Sequence, residues 1–281
     1  MKKIFKISAW IILTFLVLIL AGGSLFVYKV KNGFPVSYET EIPEINFPAG
    51  QKAVLLFSKT TGYRHGESIA VSKISFEEMA AANGWFLYQT DEGGVFNPEQ
   101  LEKFDAVIFN NSTGRVLNDE QQKHLEKYVE NGGKLIGIHG SGDDSHHWDW
   151  YNENLLGAKF SHHPLNPQLQ EAEISIGEGM DSALSKGLTQ RWTHTDEWYV
   201  FFENPEVNGF QILYTIDGEK ILPSGNLLWM TDKDFGMGKV HPVAWYRTIG
   251  TGKTFYTSIG HDERAWLQKP FLQLLENAVE W

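Results

Sequence analysis

Residues 106–141 read AVIFNNSTGRVLNDEQQKHLEKYVENGGKLIGIHGS, and this stretch decides the fold. Ala106–Asn110 and Lys134–Ile138 are short, mostly apolar runs of the kind that form parallel strands buried on both faces. Between them, Asn118 can cap a helix, with a glutamine three residues later, and Gly132-Gly133 can end it. A strand, a helix and a second strand in this order predict a βαβ unit, whose two strands are parallel.

The same alternation continues on both sides of this unit. Upstream, Ala53–Ser58 and Phe86–Thr90 are predicted strands, with a helix between them from about Ser68 to Asn83. Downstream the pattern is less regular, and we predict a terminal helix that opens at Pro270 and three strands, Gln211–Ile216, Pro242–Tyr246 and Thr254–Ser258. We therefore expect an α/β fold with a doubly wound, mostly parallel sheet flanked by helices. In such sheets the ligand crevice lies at the carboxyl ends of the strands.

An uncharged apolar run precedes the domain. Ile7–Tyr28 is long enough, at about 22 residues and 1.5 Å per residue, to cross a bilayer core of roughly 30 Å. A cleaved signal peptide is the alternative, but its apolar core is usually only about 7–15 residues long. Ala21-Gly22-Gly23 is also a poor cleavage site. We expect one uncleaved transmembrane helix.

The charges around this run predict its orientation. Lys2, Lys3 and Lys6 outweigh Lys29 and Lys31, which places the N-terminus in the cytoplasm and the domain outside it. The chain then divides into an N-terminal membrane anchor, a linker rich in proline and glutamate, and one domain, at residues 1–31, 32–50 and 51–281.

Composition excludes several classes of protein. Of the 24 basic residues, five lie in the first 31 positions, which leaves 19 against 35 acidic residues and a net charge of −16 for the rest of the chain. Such a domain repels phosphate backbones and anionic headgroups, so we expect no nucleic-acid partner. The sequence contains no cysteine, which rules out disulfides, thiolate nucleophiles and cysteine-ligated zinc.

Histidines follow three of the predicted strands. His65 lies in the turn after the first strand, His139 directly follows Lys134–Ile138, and His261 follows the last strand. Further histidines lie in the segments Ser161–Pro164, His194–Tyr199 and His241-Pro242. Histidine and carboxylate side chains bind zinc and transfer protons near neutral pH, although no spacing here matches a strong metal motif. We interpret His146-His147 as part of a solvated loop and His124 as a helix-surface position.

These residues also carry a resemblance to a known family. From about Lys52 to Trp281 the chain resembles the ThuA-like (trehalose utilisation) family, whose fold is similar to that of class I glutamine amidotransferases and flavodoxin. The matching segments are Phe57–His65, Gly137–Gly140, Trp148–Tyr151, Leu156–Ala158, His163-Pro164, Thr195–Tyr199, His241–Trp245 and Phe255–His261. The resemblance implies carbohydrate metabolism, with a disaccharide or a keto-glycoside as substrate.

One departure from the amidotransferase relatives limits the chemistry. Their nucleophile is a cysteine on the elbow between a strand and a helix, and His139 falls near that place here. Without a cysteine, glutamine hydrolysis through a thioester is ruled out. The expected activity is that of a hydrolase, lyase or isomerase acting on a sugar.

We therefore predict an extracytoplasmic sugar enzyme that uses His/Glu acid–base chemistry. The predicted catalytic residues are His139, Glu197 and His65. The predicted substrate-binding residues are Tyr63, His163, Trp148, Trp198, Trp245 and Asp196. A divalent metal, zinc or manganese, would bind His139, Glu197, His241 and His261. The alternative is a non-catalytic carbohydrate-binding or scaffolding protein, which needs only aromatic and neutral polar groups.

Overall fold

The computed structural model of the chain describes residues 2–32, 37–177, 181–228 and 230–281. Within these residues, nine strands form one sheet in the order β2-β1-β3-β4-β11-β10-β9-β6-β7, and β5 and β8 pair separately. The strands are β1 (Ala53–Phe57), β2 (Phe86–Thr90), β3 (Ala106–Asn110), β4 (Lys134–Ile138), β5 (Phe160–His162), β6 (Gln170–Ile176), β7 (Arg191–Asp196), β8 (Val200–Phe201), β9 (Gln211–Ile216), β10 (His241–Ile249) and β11 (Gly252–Thr257).

The sheet has a parallel half and an antiparallel half. Strands β2, β1, β3, β4 and β11 are mutually parallel. Strands β10, β9, β6 and β7 extend the sheet from β11 through antiparallel pairs. Since direction alternates through those pairs, β9 and β7 run the same way as the parallel strands, and seven of the nine strands share one direction. The mostly parallel α/β fold predicted from the sequence is confirmed.

Helices lie before, between and after the parallel strands. They are α1 (Lys2–Asn32), α2 (Gly66–Asn83), α3 (Pro98–Leu101), α4 (Asp119–Glu130), α5 (Asp149–Tyr151), which leads into a π-helical turn at Asn152–Leu156, and α6 (Lys269–Glu280). The predicted cap of α4 is present, because the Asn118 side chain accepts from the backbone N–H of Gln121 and the Gln121 side chain accepts from that of Asn118. Helix α2 ends at Gly84, whose φ of 70° is the left-handed conformation that glycine adopts easily.

The core lies on both faces of the parallel half. Along β1, Val54 and Leu56 pack into one hydrophobic cluster and Leu55 and Phe57 into another, since successive side chains point to opposite faces. All five residues of β1 are buried. Burial on both faces explains why this strand has an unbroken apolar sequence.

The antiparallel half curls back over the end of the parallel half. In a flat sheet, β7 would lie four strand spacings from β11, or about 19 Å. Instead, the carboxylate oxygen Oδ2 of Asp196, the last residue of β7, accepts a hydrogen bond of 2.8 Å from the backbone N–H of Gly260, which follows β11. The carboxyl ends of β7 and β11 therefore meet.

The N-terminal part of the chain has two features. Residues Lys6–Lys29 of α1 are long and apolar enough to cross a membrane, a property that signal sequences share, and the side chains from Ile7 to Tyr28 are exposed. Residues 37–50, which we call the strap, have no helix or strand but lie against the domain. The Phe47 ring packs at 5.0 Å from the Phe104 ring, and the Glu39 carboxylate pairs with Lys59. The predicted linker is thus docked on the domain over these residues.

Candidate metal centre

Four of the predicted site residues converge at the carboxyl edge of the sheet. His65 follows β1, His139 follows β4, Glu197 follows β7 and His261 follows β11. One ligand atom from each lies within 4.8 Å of the others. We call these four residues the metal cluster. They come from segments almost 200 residues apart, so the fold rather than local sequence brings them together.

His139 occupies a strained elbow. Its φ of 42° is in the left-handed region, which is uncommon for a residue with a side chain. The backbone N–H of the next residue, Gly140, donates to Asn111 Oδ1 at 3.0 Å and so holds the turn. Gly140 itself has no room for a side chain, because an added Cβ would lie 2.8 Å from His65 Nδ1. This geometry aims His139 from the end of β4 into the cluster.

Three ligand atoms form a nearly equilateral triangle. His139 Nε2 lies 3.2 Å from His261 Nδ1 and 3.5 Å from Glu197 Oε2, and the latter two atoms are 3.3 Å apart. Ligands about 2.0–2.2 Å from a tetrahedral zinc ion are separated by about 3.3–3.6 Å. The triangle therefore has the dimensions of one face of a zinc coordination shell.

The tautomer of His139 suits a metal ligand. Its Nδ1 lies 2.7 Å from the carbonyl oxygen of Ser258, which can only accept, so Nδ1 carries the proton and donates. In the neutral ring, Nε2 then presents a lone pair to the centre of the triangle. A backbone carbonyl that fixes a histidine ring in this way is typical of metal-binding histidines.

The second oxygen of Glu197 is held from outside the triangle. Oε1 accepts from Gln168 Nε2 at 2.5 Å and lies 3.0 Å from His163 Nδ1. Burial alone would raise the pKa of Glu197, but the imidazole rings of His139, His163 and His261 beside it outweigh burial and hold that pKa well below its usual value. Glu197 is therefore a buried, ionised carboxylate with one oxygen facing the cluster.

The pKa values of the histidines around Glu197 are shifted in opposite directions. For His163 and His261, burial favours the neutral ring, but the Glu197 carboxylate outweighs it and raises both pKa values above 6.5. The pKa of His65 is lowered well below 6.5 by burial and then by His139 and His261. Its ring is neutral, and its Nδ1 is buried without a hydrogen-bond partner. A neutral, unpartnered imidazole beside a carboxylate favours a fourth metal contact.

His241 does not join the cluster, which corrects its predicted role as a metal ligand. It begins β10 and is buried, and its Nε2 lies 2.9 Å from the carbonyl oxygen of Tyr199. Burial lowers the pKa of His241 to about 4, so the ring is neutral and structural. His65, predicted only as a catalytic residue, takes its place in the set. Both histidines lie at the same edge of the sheet. No spacing of residues in the sequence shows which of them would join the cluster.

Asp196 stabilises a loop and is not free to bind a substrate, contrary to the prediction. It is fully buried, and its carboxylate accepts from the backbone N–H groups of Glu197, Gly260, His261 and Asp262 at 2.8–3.3 Å. These bonds fix the backbone that carries two members of the metal cluster.

The three tryptophans predicted to bind substrate are buried, so that prediction is also corrected. Trp198 and Trp245 are fully buried, and Trp148 is 6% exposed. Each indole N–H donates inside the domain, to Gln170 O, Leu156 O and Glu126 Oε1, respectively. The sequence shows indoles near the site but not which way their rings face.

Two of the predicted substrate-binding residues are open to solvent. Tyr63 is 47% exposed, and its ring packs edge-on against His65 at 4.9 Å between centroids. The side chain of His163 is 30% exposed. These two side chains, with the partly exposed His261, border the accessible side of the metal cluster.

The segment after the elbow contains two groups that sequence reasoning missed. His146, expected in a solvated loop, is buried and lies against Phe109 and Tyr151. Burial lowers its pKa to about 4. The Asp143 carboxylate accepts from the backbone N–H of Ser145, and burial raises its pKa to about 7, although its surface is not fully closed to solvent. His124, by contrast, is a partly exposed residue of α4, as expected.

Comparisons with known proteins agree with this fold. The family model for ThuA, trehalose utilisation, matches residues 53–281. A ThuA-like protein from Bacteroides uniformis superposes with a TM-score of 0.66 at 19% identity, covering 83% of this chain and 92% of that one. A ThuA-like protein from Parabacteroides merdae gives 0.62 at 19% identity, with 82% and 89% covered.

A more distant match is a cytoplasmic protein from Salmonella typhimurium, with a TM-score of 0.53, 10% identity and coverage of 81% and 98%. No curated protein matches the chain significantly. At these identities the solved structures show a shared fold only. The family model, however, spans the chain from the first residue of β1 to the last residue of the sequence. The chain belongs to the ThuA (trehalose utilisation) family.

Proposed function

We propose that this protein is a metal-assisted enzyme of carbohydrate metabolism, with its active centre at His65, His139, Glu197 and His261. The observation that carries the proposal is the triangle of His139 Nε2, His261 Nδ1 and Glu197 Oε2, with edges of 3.2–3.5 Å. The family supports a sugar substrate, and a disaccharide or keto-glycoside remains the proposed class. Zinc is favoured over manganese, because nitrogen ligands outnumber oxygen in this set.

The donor set fits a divalent cation for a further reason. With the Nδ1 proton of His139 directed at Ser258, its Nε2 lone pair and the Glu197 carboxylate face one another at 3.5 Å. Two acceptors at this distance need a proton or a cation between them. A bound metal would act as a Lewis acid on a sugar carbonyl or on water.

Other side chains would bind the substrate and transfer protons. Tyr63 and His163 lie where a sugar could approach the cluster from solvent, and His163 contacts Glu197 directly. Asp143, with a pKa of about 7, lies close to Tyr199 and Tyr256, whose pKa values are raised by burial and further by Asp143. A carboxyl group with a pKa near neutrality is suited to give or take a proton.

A non-catalytic carbohydrate-binding protein is the less well supported alternative. It would need exposed aromatic rings, and the three tryptophans beside the site are buried. Scattered histidines would favour it, yet four ionisable groups converge within 4.8 Å. Of the histidines outside the metal cluster, His146 and His241 are buried and structural.

Metal titration followed by assay tests the proposal. Protein stripped of metal should bind one zinc ion per chain by calorimetry. Glu197→Gln and His139→Asn should lower turnover of the sugar that binds the wild type by about 10²–10⁴-fold. His241→Gln, which changes a buried histidine outside the metal cluster, is the matched control and should retain the ion. If zinc does not bind, or binds equally well to Glu197→Gln and His139→Asn, the metal centre is refuted.

We also propose that α1 anchors the protein in a membrane, with its N-terminus in the cytoplasm and the domain outside. The support is the length and apolarity of Lys6–Lys29 and the lysines that precede it. The full chain should stay with the membrane after alkaline washing, and external protease should cleave it beyond Asn32. A mature protein that begins near residue 23 would contradict the anchor.

A further inference from the structure

The strap shows where the chain first meets the domain. Glu39 contacts the segments that follow β1 and β2, since its carboxylate pairs with Lys59 and accepts from the backbone N–H of Gly93 at 3.1 Å. Its backbone carbonyl accepts from Gln121 Nε2 at 2.7 Å. These contacts lie at the carboxyl edge of the sheet, the edge that carries the metal cluster.

The strap then runs to the opposite edge. The Phe47 ring packs against Phe86, the first residue of β2, at 5.6 Å, and against Phe104, which precedes β3, at 5.0 Å. The chain therefore arrives from α1 at the carboxyl edge and crosses to the amino edge before β1 begins.

The tether between helix and strap is short. Helix α1 ends at Asn32, seven residues before Glu39. A fully extended chain spans at most about 3.6 Å per residue, so Glu39 lies within about 25 Å of the end of α1. If α1 spans a bilayer, the chain that leaves it meets the domain first at the carboxyl edge, within about 25 Å of that bilayer.

The same edge exposes a group of large apolar side chains. Strands β9 and β7 end there, and β10 and β6 begin there, so the loops around them share that edge. The group, which we call the apolar rim, ranges from 39% to 77% exposed and comprises Leu165, Leu222, Leu227, Leu228, Val240 and Leu267. Single exposed apolar residues are ordinary, but a group on one edge marks a contact surface.

Part of the rim borders the metal cluster. The loop that carries Leu222, Leu227 and Leu228 is bonded to the segment beside His163, through Leu165 N–H and the carbonyl oxygen of Ser224 at 3.0 Å. An added Cβ at Gly225 would lie 2.9 Å from the carbonyl oxygen of His163. Part of the rim therefore lies beside His163, which borders the accessible side of the cluster.

We infer that the carboxyl edge faces the bilayer and that the apolar rim docks on the lipid surface, so that substrate reaches the metal cluster from the membrane side. The inference rests on the proposed membrane anchor and does not require the metal. With a net charge of −16 outside the first 31 residues, the domain gains nothing from anionic headgroups. The contact is apolar and should form on neutral phosphatidylcholine.

Helix α2 provides a matched pair of reporters. It begins at the carboxyl edge and ends at the amino edge, and Glu67 and Ala82 are both exposed on it. They are 15 residues apart, or about 23 Å along the helix axis. Because the chain has no cysteine, Glu67→Cys and Ala82→Cys can each be labelled at a single site.

The full chain would be placed in phosphatidylcholine vesicles that contain a headgroup-labelled quencher lipid. We expect the fluorophore at position 67 to be quenched at least about twofold more than the one at position 82, given their separation of about 23 Å. The double change Leu227→Ser with Leu228→Ser should reduce this difference. Val207→Ser, at an apolar residue that is 71% exposed near the start of β9, should not.

Equal quenching at the two positions, or stronger quenching at position 82, would overturn the inference. So would cross-linking of two chains through position 67 without quenching, which would assign the rim to a second copy. The measurement contains neither metal nor sugar. Failure of the proposed enzymatic function is therefore distinguishable from failure of the docking.

Discussion

At the scale of single residues, the metal cluster depends on side chains that would not touch the ion. Gln168 Nε2 donates to Glu197 Oε1 at 2.5 Å, and the Ser258 carbonyl orients His139. Such partners fix the direction of each ligand before the ion arrives. The entropy of the ligand side chains is then lost when the protein folds and not when the metal binds.

Replacing Gln168 should weaken metal binding without unfolding the protein. Gln168→Leu removes one of the donors that hold the outer oxygen of Glu197, so that oxygen can rotate toward the ion. Changes of this type cost about 10–100-fold in metal affinity. Zinc calorimetry would measure it, with Gln190→Leu, at an exposed glutamine, as the control. Equal affinity in the two variants would show that Gln168 has no role in holding Glu197.

Buried His241 should make the domain sensitive to acid. Its pKa is about 4 in the folded chain, against 6.5 when unfolded. As pH falls below 6.5, the unfolded chain takes up a proton that the folded chain refuses, so stability present above pH 6.5 is lost on the way to pH 4.

At pH 5 the loss from this one ring is about 2 kcal/mol. Urea unfolding of the wild type and of His241→Gln at pH 7 and pH 5 measures the contribution of His241 to this loss of stability. The variant should lose less stability than the wild type between the two values. Parallel losses would mean that His241 titrates normally in the folded chain.

At the scale of elements, the elbow after β4 positions two members of the metal cluster at once. His139 is aimed by its positive φ, and His65 packs against the bare Cα of Gly140. The resemblance to the amidotransferases placed His139 near an elbow after a strand, and that strand was predicted correctly. The contact with His65 could not be predicted, because it depends on how the turn after β1 crosses that after β4.

Gly140→Ala should disturb the metal cluster while leaving the fold intact. The added methyl would lie 2.8 Å from His65 Nδ1 and 3.1 Å from Asn111 Oδ1, so the His65 ring must move. We expect zinc affinity to fall by about tenfold or more, as for loss of a supporting contact.

Gly66→Ala is the control, one residue after His65 at the start of α2, where an added Cβ meets nothing within 4 Å. It should keep wild-type affinity and gain about 0.4–1 kcal/mol in stability. An unchanged affinity in Gly140→Ala would remove His65 from the ligand set.

Sequence reasoning worked best for the buried strands and least well for the sheet's edge. Strands β1, β3 and β4 are mostly apolar and buried, and all three were predicted, as was the half-buried β2. Strands β6 and β7 read QEAEISI and RWTHTD and were missed, because only alternate residues are buried and several of those are polar. Glu197 was predicted as a catalytic residue and a metal ligand, yet its partners emerge only from the curl that brings β7 to β11.

At the scale of the whole molecule, Asp196 closes the curl. Four backbone N–H groups from two distant segments converge on one buried carboxylate. The Asp196 carboxylate therefore bridges the sheet's two halves at the carboxyl edge, and the metal cluster spans that joint.

Asp196→Asn should destabilise the domain and move the residues of the metal cluster apart. An amide supplies one acceptor oxygen where the carboxylate supplies two and presents N–H groups to other donors, at a cost of about 3–5 kcal/mol. Urea unfolding should show this loss together with weaker zinc binding. Asp232→Asn, at an exposed position, should change neither. A stability loss below about 1 kcal/mol would mean that the joint does not depend on Asp196.

The position of β11 has a consequence for how the chain is made. It is the last strand in sequence, yet it lies between β4 and β10 in the middle of the sheet. While the polypeptide emerges from its N-terminus, β4 has one unpaired edge and the two halves have no shared strand until residues 252–257 appear. Unpaired strand edges invite aggregation. Nascent chains that stall before this segment should therefore depend on chaperones, and the metal cluster can form only after the last strand has inserted.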